Sequence, residues 1–145
     1  MNMELKKCSK CKQNKDINLF YKNSSEKDGL SNWCKSCKSA GEKESLILSK
    51  EWYENWKSIQ GCCKCHDKRP YVLDLHHTDN RREGDKYRLL SRIISSGTYS
   101  FESRKKRILK EAENCIILCS NCHRELHYLE KKDNISLDDY LNNNL

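Results

Sequence analysis

A chain of 145 residues with a formal charge of +7, 36% hydrophobic and 34% charged, has room for one ordinary domain or two very small ones and only a thin core. No stretch is long and apolar enough for a membrane span, and no apolar opening segment reads as a secretion signal. Membrane and oxidised extracellular classes are therefore set aside, and a cytoplasmic, intracellular chain of a bacterial or viral-type host cell is expected. Residues 1–50 hold 11 lysines against 6 acidic residues, residues 51–100 hold 9 basic against 7, and the remainder is balanced at 8 each, so the basic excess lies in the first half and points to a polyanion.

Something other than apolar burial must staple such a chain, and ten cysteines supply the candidate. Eight fall in four CxxC pairs: Cys8 and Cys11, Cys34 and Cys37, Cys62 and Cys65, Cys119 and Cys122. A two-residue spacing lets two thiolates grip one tetrahedral ion, so the pairs read as two structural zinc sites rather than disulfides. Reduced cysteines at incidental spacing are the plain alternative. Cys63 and Cys115 are left over, Cys63 as a substitute ligand for Cys62 or Cys65 and Cys115 as a core thiol.

The first predicted unit is a compact zinc module in residues 1–40. Its two knuckles are joined by a loop holding Leu19-Phe20-Tyr21 and the turn signal Lys27-Asp28-Gly29-Leu30. Phe20 and Trp33 are expected to cover the metal site, as small-core packing more than as stacking surface. Lys10, Lys12, Lys35 and Lys38 are candidates for phosphate contact, with Lys22 and Lys27 nearby; a merely soluble basic surface is the alternative.

Residues 41–60 read as a linking helix. Leu48, Trp52, Trp56 and Ile59 make one apolar stripe and Gly61 stops it; the stripe is expected to pack within the chain, with homodimerisation left open. Tyr71, Leu73 and Leu75 then alternate as a half-buried strand. Two helical patterns follow, one near Lys86 to Ser96 and a second after the cap Ser100, which carries the basic run Arg104-Lys105-Lys106-Arg107. Arg104 and Lys105 from this run are taken as nucleic-acid contacts, a solvated helix face being the alternative. Asn114 to Leu118 is a short β-rich segment, Asn121 to about Lys132 a helix, and residues 133–145 a tail with no assigned function.

Four of the five histidines lie in two places. His76 and His77 are adjacent at the end of the strand-like run Leu73 to His77. His123 and His127 stand i, i+4, which on a helix puts both imidazoles on one face and lets them share a metal. Asn114 precedes His123 by nine residues. This order of strand, strand and helix resembles the HNH nuclease family over roughly residues 61 to 128, and the module ahead of it is similar to the small zinc module of many phage-type HNH proteins. The resemblance implies an α+β chain in which residues 61–132 form a ββα-metal nuclease domain carrying the second four-cysteine site. It implies His76, His123 and His127 as metal ligands, His77 as general base, Asn114 as the central asparagine, and DNA cut to 5′-phosphate and 3′-hydroxyl ends, in a restriction or homing type of role. Many relatives carry aspartate where His76 stands; an all-imidazole triad suits Zn2+, Ni2+ or Mn2+ better than Mg2+.

The same residues suffice chemically without the family. Phosphodiester hydrolysis needs a base, a cation for the charge that builds on phosphate and leaving oxygen, and a group that fixes the base. Adjacent strand residues point to opposite faces, so His76 and His77 serve one site only if the strand ends or bulges there, and their roles could be exchanged. The other readings are a noncatalytic zinc protein that binds DNA or RNA, and a structural or regulatory partner in which the metals only hold shape.

Overall fold

The computed structural model describes residues 4–78, 90–97 and 99–142. It is a mixed α+β chain that divides into two compact units, Met1–Leu46 and Ile47–Leu145. Among the described residues no helix is long and apolar enough to cross a membrane.

The first unit holds two small antiparallel ribbons. Strands β1 (Leu5–Lys7) and β2 (Asn14–Asp16) pair with Lys6 opposite Lys15. Strands β3 (Phe20–Lys22) and β4 (Leu30–Cys34) pair with Phe20 opposite Cys34, and the register slips between Phe20 and Lys22. The turn that closes this second ribbon needs Gly29, whose φ of 70° a side chain rarely adopts. So small a unit buries little: Cys8, Phe20 and Cys34 form the core, with Cys11, Leu30 and Cys37 against it. Phe20 covers the cysteines as expected. Trp33 does not; it stays 38% exposed.

Helix α1 (Lys35–Gln60) starts at the second knuckle, six residues ahead of the predicted linking helix, and runs out of the first unit into the second. Gly61, at φ 71°, ends it by donating its N–H to the Lys57 carbonyl at 2.8 Å. Its buried positions are Ser49 and Lys57, while Leu48 and Ile59 of the predicted stripe are exposed. The middle of the predicted stripe packs and its ends do not: Trp56 reaches the core, and Trp52 and Tyr53 stack on it at 6.2 and 6.0 Å. Lys57 is buried because its Nζ donates to the Pro70 and Leu73 carbonyls at 2.8 and 2.6 Å, which ties the helix to the start of the next strand.

In the second unit β5 (Leu73–His77) and β6 (Cys115–Cys119) form one antiparallel pair in continuous register, from Leu73 opposite Cys119 to His77 opposite Cys115. Pro70–Val72 is a 3-10 turn and Tyr71 is exposed, so the strand begins two residues later than its alternation predicts. Helix α2 (Leu90–Ser95) and helix α3 (Phe101–Ala112) lie between the strands in sequence. Residues 86–89 of the first predicted helix fall outside the described residues. Ser100 caps α3 by accepting from the Ser103 N–H at 3.3 Å.

Helix α4 (Ser120–Asp133) follows β6 directly and buries Leu126. Helix α5 (Leu137–Asn142) corrects the reading of residues 133–145 as a mere tail. Its Tyr140 is fully buried in the same core as Leu73, Leu118 and Leu126, and the hydroxyl reaches the Cys122 carbonyl at 3.1 Å and Glu125 Oε2 at 2.7 Å. A domain ending at residue 132 would lose this plug.

Candidate metal centre

The eight paired cysteines gather into two clusters, Cys8, Cys11, Cys34 and Cys37, and Cys62, Cys65, Cys119 and Cys122; in each, the sulfurs lie within 4.8 Å of one another, and no disulfide is formed. The Cys65 and Cys119 sulfurs are 3.6 Å apart, close to the edge of a tetrahedron built on Zn–S bonds of about 2.3 Å. Both sites share one design. The first pair sits in a tight knuckle, where the residue after the second cysteine takes a left-handed φ and donates its N–H to the first cysteine's carbonyl at 2.9 Å: Lys12 with Cys8, and His66 with Cys62. The second pair begins at the last residue of a strand and continues into a helix N-terminus, β4 into α1 and β6 into α4, where free N–H groups favour thiolate. The Cys34 N–H donates to Cys8 Sγ at 3.3 Å and the Cys122 N–H to Cys119 Sγ at 3.5 Å.

The thiols of each cluster do not ionise alike. The Ser36 hydroxyl and the Cys37 amide hold Cys34 down at about 6, while hydrogen bonding to that thiolate and burial push Cys37 up to about 12. In the second site burial works against ionisation, yet the amides of Cys65, Cys119 and Lys64 bring Cys62 to about 7. Burial and its bonds to Cys119 and Cys65 push Cys122 well above the ordinary thiol range. Four thiolates can coexist there only around a dication, so the donor sets fit zinc. Cys63 is exposed and outside the cluster; His66 is exposed and serves the knuckle through its backbone.

A third cluster joins β5 to α4. His76, His123 and His127 bring their ring nitrogens within 4.8 Å of one another. The Nε2 atoms of His123 and His127 are 3.1 Å apart, and the His76 ring lies 5.0 and 5.1 Å from theirs. Such spacing fits three cis ligands at metal–nitrogen bonds of about 2.0–2.1 Å. Glu130 Oε2 lies 2.8 Å from His127 Nδ1, one helical turn on, and fixes the proton on Nδ1 so that the Nε2 lone pair faces the cluster. Burial, then the neighbouring imidazoles, keep His76 and His123 below the ordinary imidazole value, the neutral form a metal needs. His127 is exposed, which leaves the cluster open on one side.

His76 and His77 together line a cleft of about 730 Å3 whose other walls include Thr78, Glu130 and Asp138. The strand carries no bulge there; it ends at His77. His76 turns to α4 while His77 meets its cross-strand partner, with Nδ1 at 3.2 Å from Cys115 Sγ. The Cys115 thiol donates to the Glu111 carbonyl at 3.2 Å, so its sulfur can accept from a His77 Nδ1–H, the tautomer in which Nε2 is the basic nitrogen. Asn114 is exposed, and its carbonyl accepts from the Thr78 N–H at 3.0 Å and hydroxyl at 3.2 Å. It clamps the residue after His77 by backbone.

The nucleic-acid candidates separate. Lys10, Lys12, Lys35 and Lys38 belong to the first unit. Lys105 stands over the Trp52 ring at 5.5 Å. Arg104 is a correction: it is 0% exposed, and its guanidinium donates to the Ile93, Ser96 and Tyr99 carbonyls and to Ser49 Oγ. The α3 periodicity that exposes Lys106 and Arg107 turns Arg104 inward beside Ile108, where a guanidinium persists only with its donors satisfied. Sequence reasoning passed over Glu130 and the pairing of Cys115 with His77. The first had a signal, a carboxylate three residues after a histidine on a helix; the second needed the register. No protein-family model, curated protein or solved structure matches this chain.

Proposed function

We propose that this chain is a metal-dependent DNA endonuclease of the HNH type, hydrolysing phosphodiester bonds at the cleft beside β5. The observation that carries the reading is the convergence of His76, His123 and His127 on one point, apart from two four-cysteine clusters suited to structural zinc, with His77 next to His76 in the wall of one cleft. The hairpin of β5 and β6 followed by α4 has the element order of a ββα-metal core.

A divalent ion such as Mn2+, Mg2+, Ni2+ or Zn2+, held there, would supply positive charge to a phosphate oxygen and to the departing 3′-oxygen. His77 is the base. Its Nε2 takes a proton from the attacking water, and the imidazolium that forms is met at Nδ1 by the Cys115 sulfur. Asn114 limits the motion of the strand end through Thr78. Glu130 orients His127, and His76 depends on the β5–β6 ladder for its place.

The test is incubation of zinc-loaded protein with supercoiled plasmid and Mn2+ or Mg2+, beside His77→Ala. The parent nicks or linearises the plasmid; the variant stays folded, keeps its metals, binds DNA and does not cut. Equal cutting by both removes His77 from the mechanism. DNA binding by a fully metal-loaded parent that never cuts makes this a noncatalytic zinc protein.

A further inference from the structure

The first unit presents an aromatic face that the four-cysteine site does not use. In the paired ribbon of β3 and β4, Phe20 and Cys34 stand opposite each other and are buried. Tyr21 and Trp33 are their neighbours on the two strands, in the stretch where the register slips, and neither follows them into the core: Tyr21 is 47% and Trp33 38% exposed. Lys35 and Lys38 stand over the Tyr21 ring at 5.5 and 5.1 Å, and Lys10 over the Trp33 ring at 5.3 Å. Lysines thus stand over both exposed rings of this ribbon, a pairing of cation and flat apolar surface.

From this we infer that the first unit is a platform for unpaired nucleobases, and that its ligand is a single strand of nucleic acid. An exposed ring offers a base a flat apolar partner at little entropic cost, since Tyr and Trp have few rotors to freeze. Trp33 is held further: a Cβ at Gly41 would lie 3.0 Å from the indole, so glycine there lets the ring lie close against α1. When bases stack on the two rings, the ammonium groups that covered them move aside to the phosphates of the same strand. Rings and lysines then divide the work, the rings selecting unpaired strand over duplex and the lysines supplying salt-dependent affinity. A duplex keeps its bases stacked on one another and offers these rings nothing. The platform shares with the nuclease reading only the premise that the first unit contacts nucleic acid, and it stands whether or not the histidine cluster cuts.

The experiment uses the full zinc-loaded chain carrying His77→Ala, so that no probe is consumed, and fluorescence anisotropy with labelled oligothymidine, oligouridine and a duplex of equal length. One or both single strands should bind at least about fivefold tighter than duplex. Tyr21→Leu with Trp33→Leu should erase that preference and leave the salt slope unchanged; Tyr21→Phe with Trp33→Phe should keep it. Lys10→Ala, Lys35→Ala and Lys38→Ala together should flatten the slope and keep the preference. The two single strands report whether the ribose hydroxyl matters. In a second measurement, oligothymidine or oligouridine quenches tryptophan emission, and Trp33→Phe removes the quenching while binding persists. Duplex bound as tightly as both single strands, or quenching unaltered by Trp33→Phe, overturns the platform. Plasmid cleavage by the parent is scored separately, so its failure is not confused with either result.

Discussion

His77 Nδ1 and Cys115 Sγ face each other at 3.2 Å across the last register pair of the β5–β6 ladder. With the thiol donating to the Glu111 backbone carbonyl, the sulfur can accept from Nδ1–H and so favour the tautomer whose basic nitrogen is Nε2. On the proposed mechanism Cys115 is a positioning residue. Cys115→Val should lower kcat about tenfold with KM little changed, since one hydrogen bond of about 1–1.5 kcal/mol no longer selects the tautomer. Cys115→Ser should restore most of the rate, because a hydroxyl can relay the same bonds. A valine variant as fast as the parent would show that Cys115 only fills space.

Glu130 makes the matching prediction for the metal. Glu130→Gln should weaken metal affinity at the histidine cluster about 10- to 100-fold, while both four-cysteine sites keep their zinc. Titration of zinc-loaded protein with Mn2+ or Ni2+ reads this directly. Unchanged affinity would place the Glu130–His127 contact outside metal binding.

Arg104 predicts a stability effect without a binding effect. Arg104→Ala leaves three carbonyls and the Ser49 hydroxyl without their donor and opens a cavity, so urea unfolding should register a loss of about 3–5 kcal/mol. DNA affinity of the folded fraction should not change. A variant of parental stability with weakened DNA binding would return Arg104 to the nucleic-acid surface.

Tyr140 tests whether α5 belongs to the core. Tyr140→Phe should cost about 1–2 kcal/mol by removing a buried hydroxyl's bonds, and Tyr140→Ala about 3–5 kcal/mol by emptying its site. Urea unfolding with both zinc sites loaded measures each. Values near zero would make the C-terminal helix dispensable.

The histidine cluster also sets a pH dependence when its metal is withheld. His76 and His123 are held below 6.5 by burial and then by neighbouring imidazoles. Below 6.5 the unfolded chain takes up protons that the folded chain refuses, so stability falls with pH until the lowered values are passed, and is flat above 6.5 as far as these groups decide it. Added metal should oppose the loss. His76→Phe, in metal-free protein with the zinc sites intact, should flatten the acid side of the profile.

Chemistry was more legible in the sequence than packing. The CxxC spacing identified both thiolate clusters, and i, i+4 with the histidine pair identified the third, because ligand geometry constrains spacing directly. What failed was facing. Lys57 and Ile59 show why: α1 buries a lysine where it finds two carbonyls, while Leu48 and Ile59, apolar in the sequence, stay exposed at the ends of a stripe of which Trp52 and Trp56 pack. Arg104 was misread for a related reason, since a charged residue counts as surface until its acceptors are known. Tyr140 lay in an asparagine-rich tail whose single apolar stripe gave no hint that it plugs the core.

Cutting is proposed to depend on a metal held by His76, His123 and His127. The most direct measurement pairs metal content with plasmid cleavage in the parent and in His76→Ala, which removes one ligand and leaves both four-cysteine clusters intact. The parent should carry two tightly held zinc ions and a third, exchangeable metal, and cut the plasmid; His76→Ala should keep the two zinc ions, lose the third metal and lose cutting. A parent loaded at all three clusters that leaves the plasmid intact, or a His76→Ala protein that cuts at the parental rate, would contradict it.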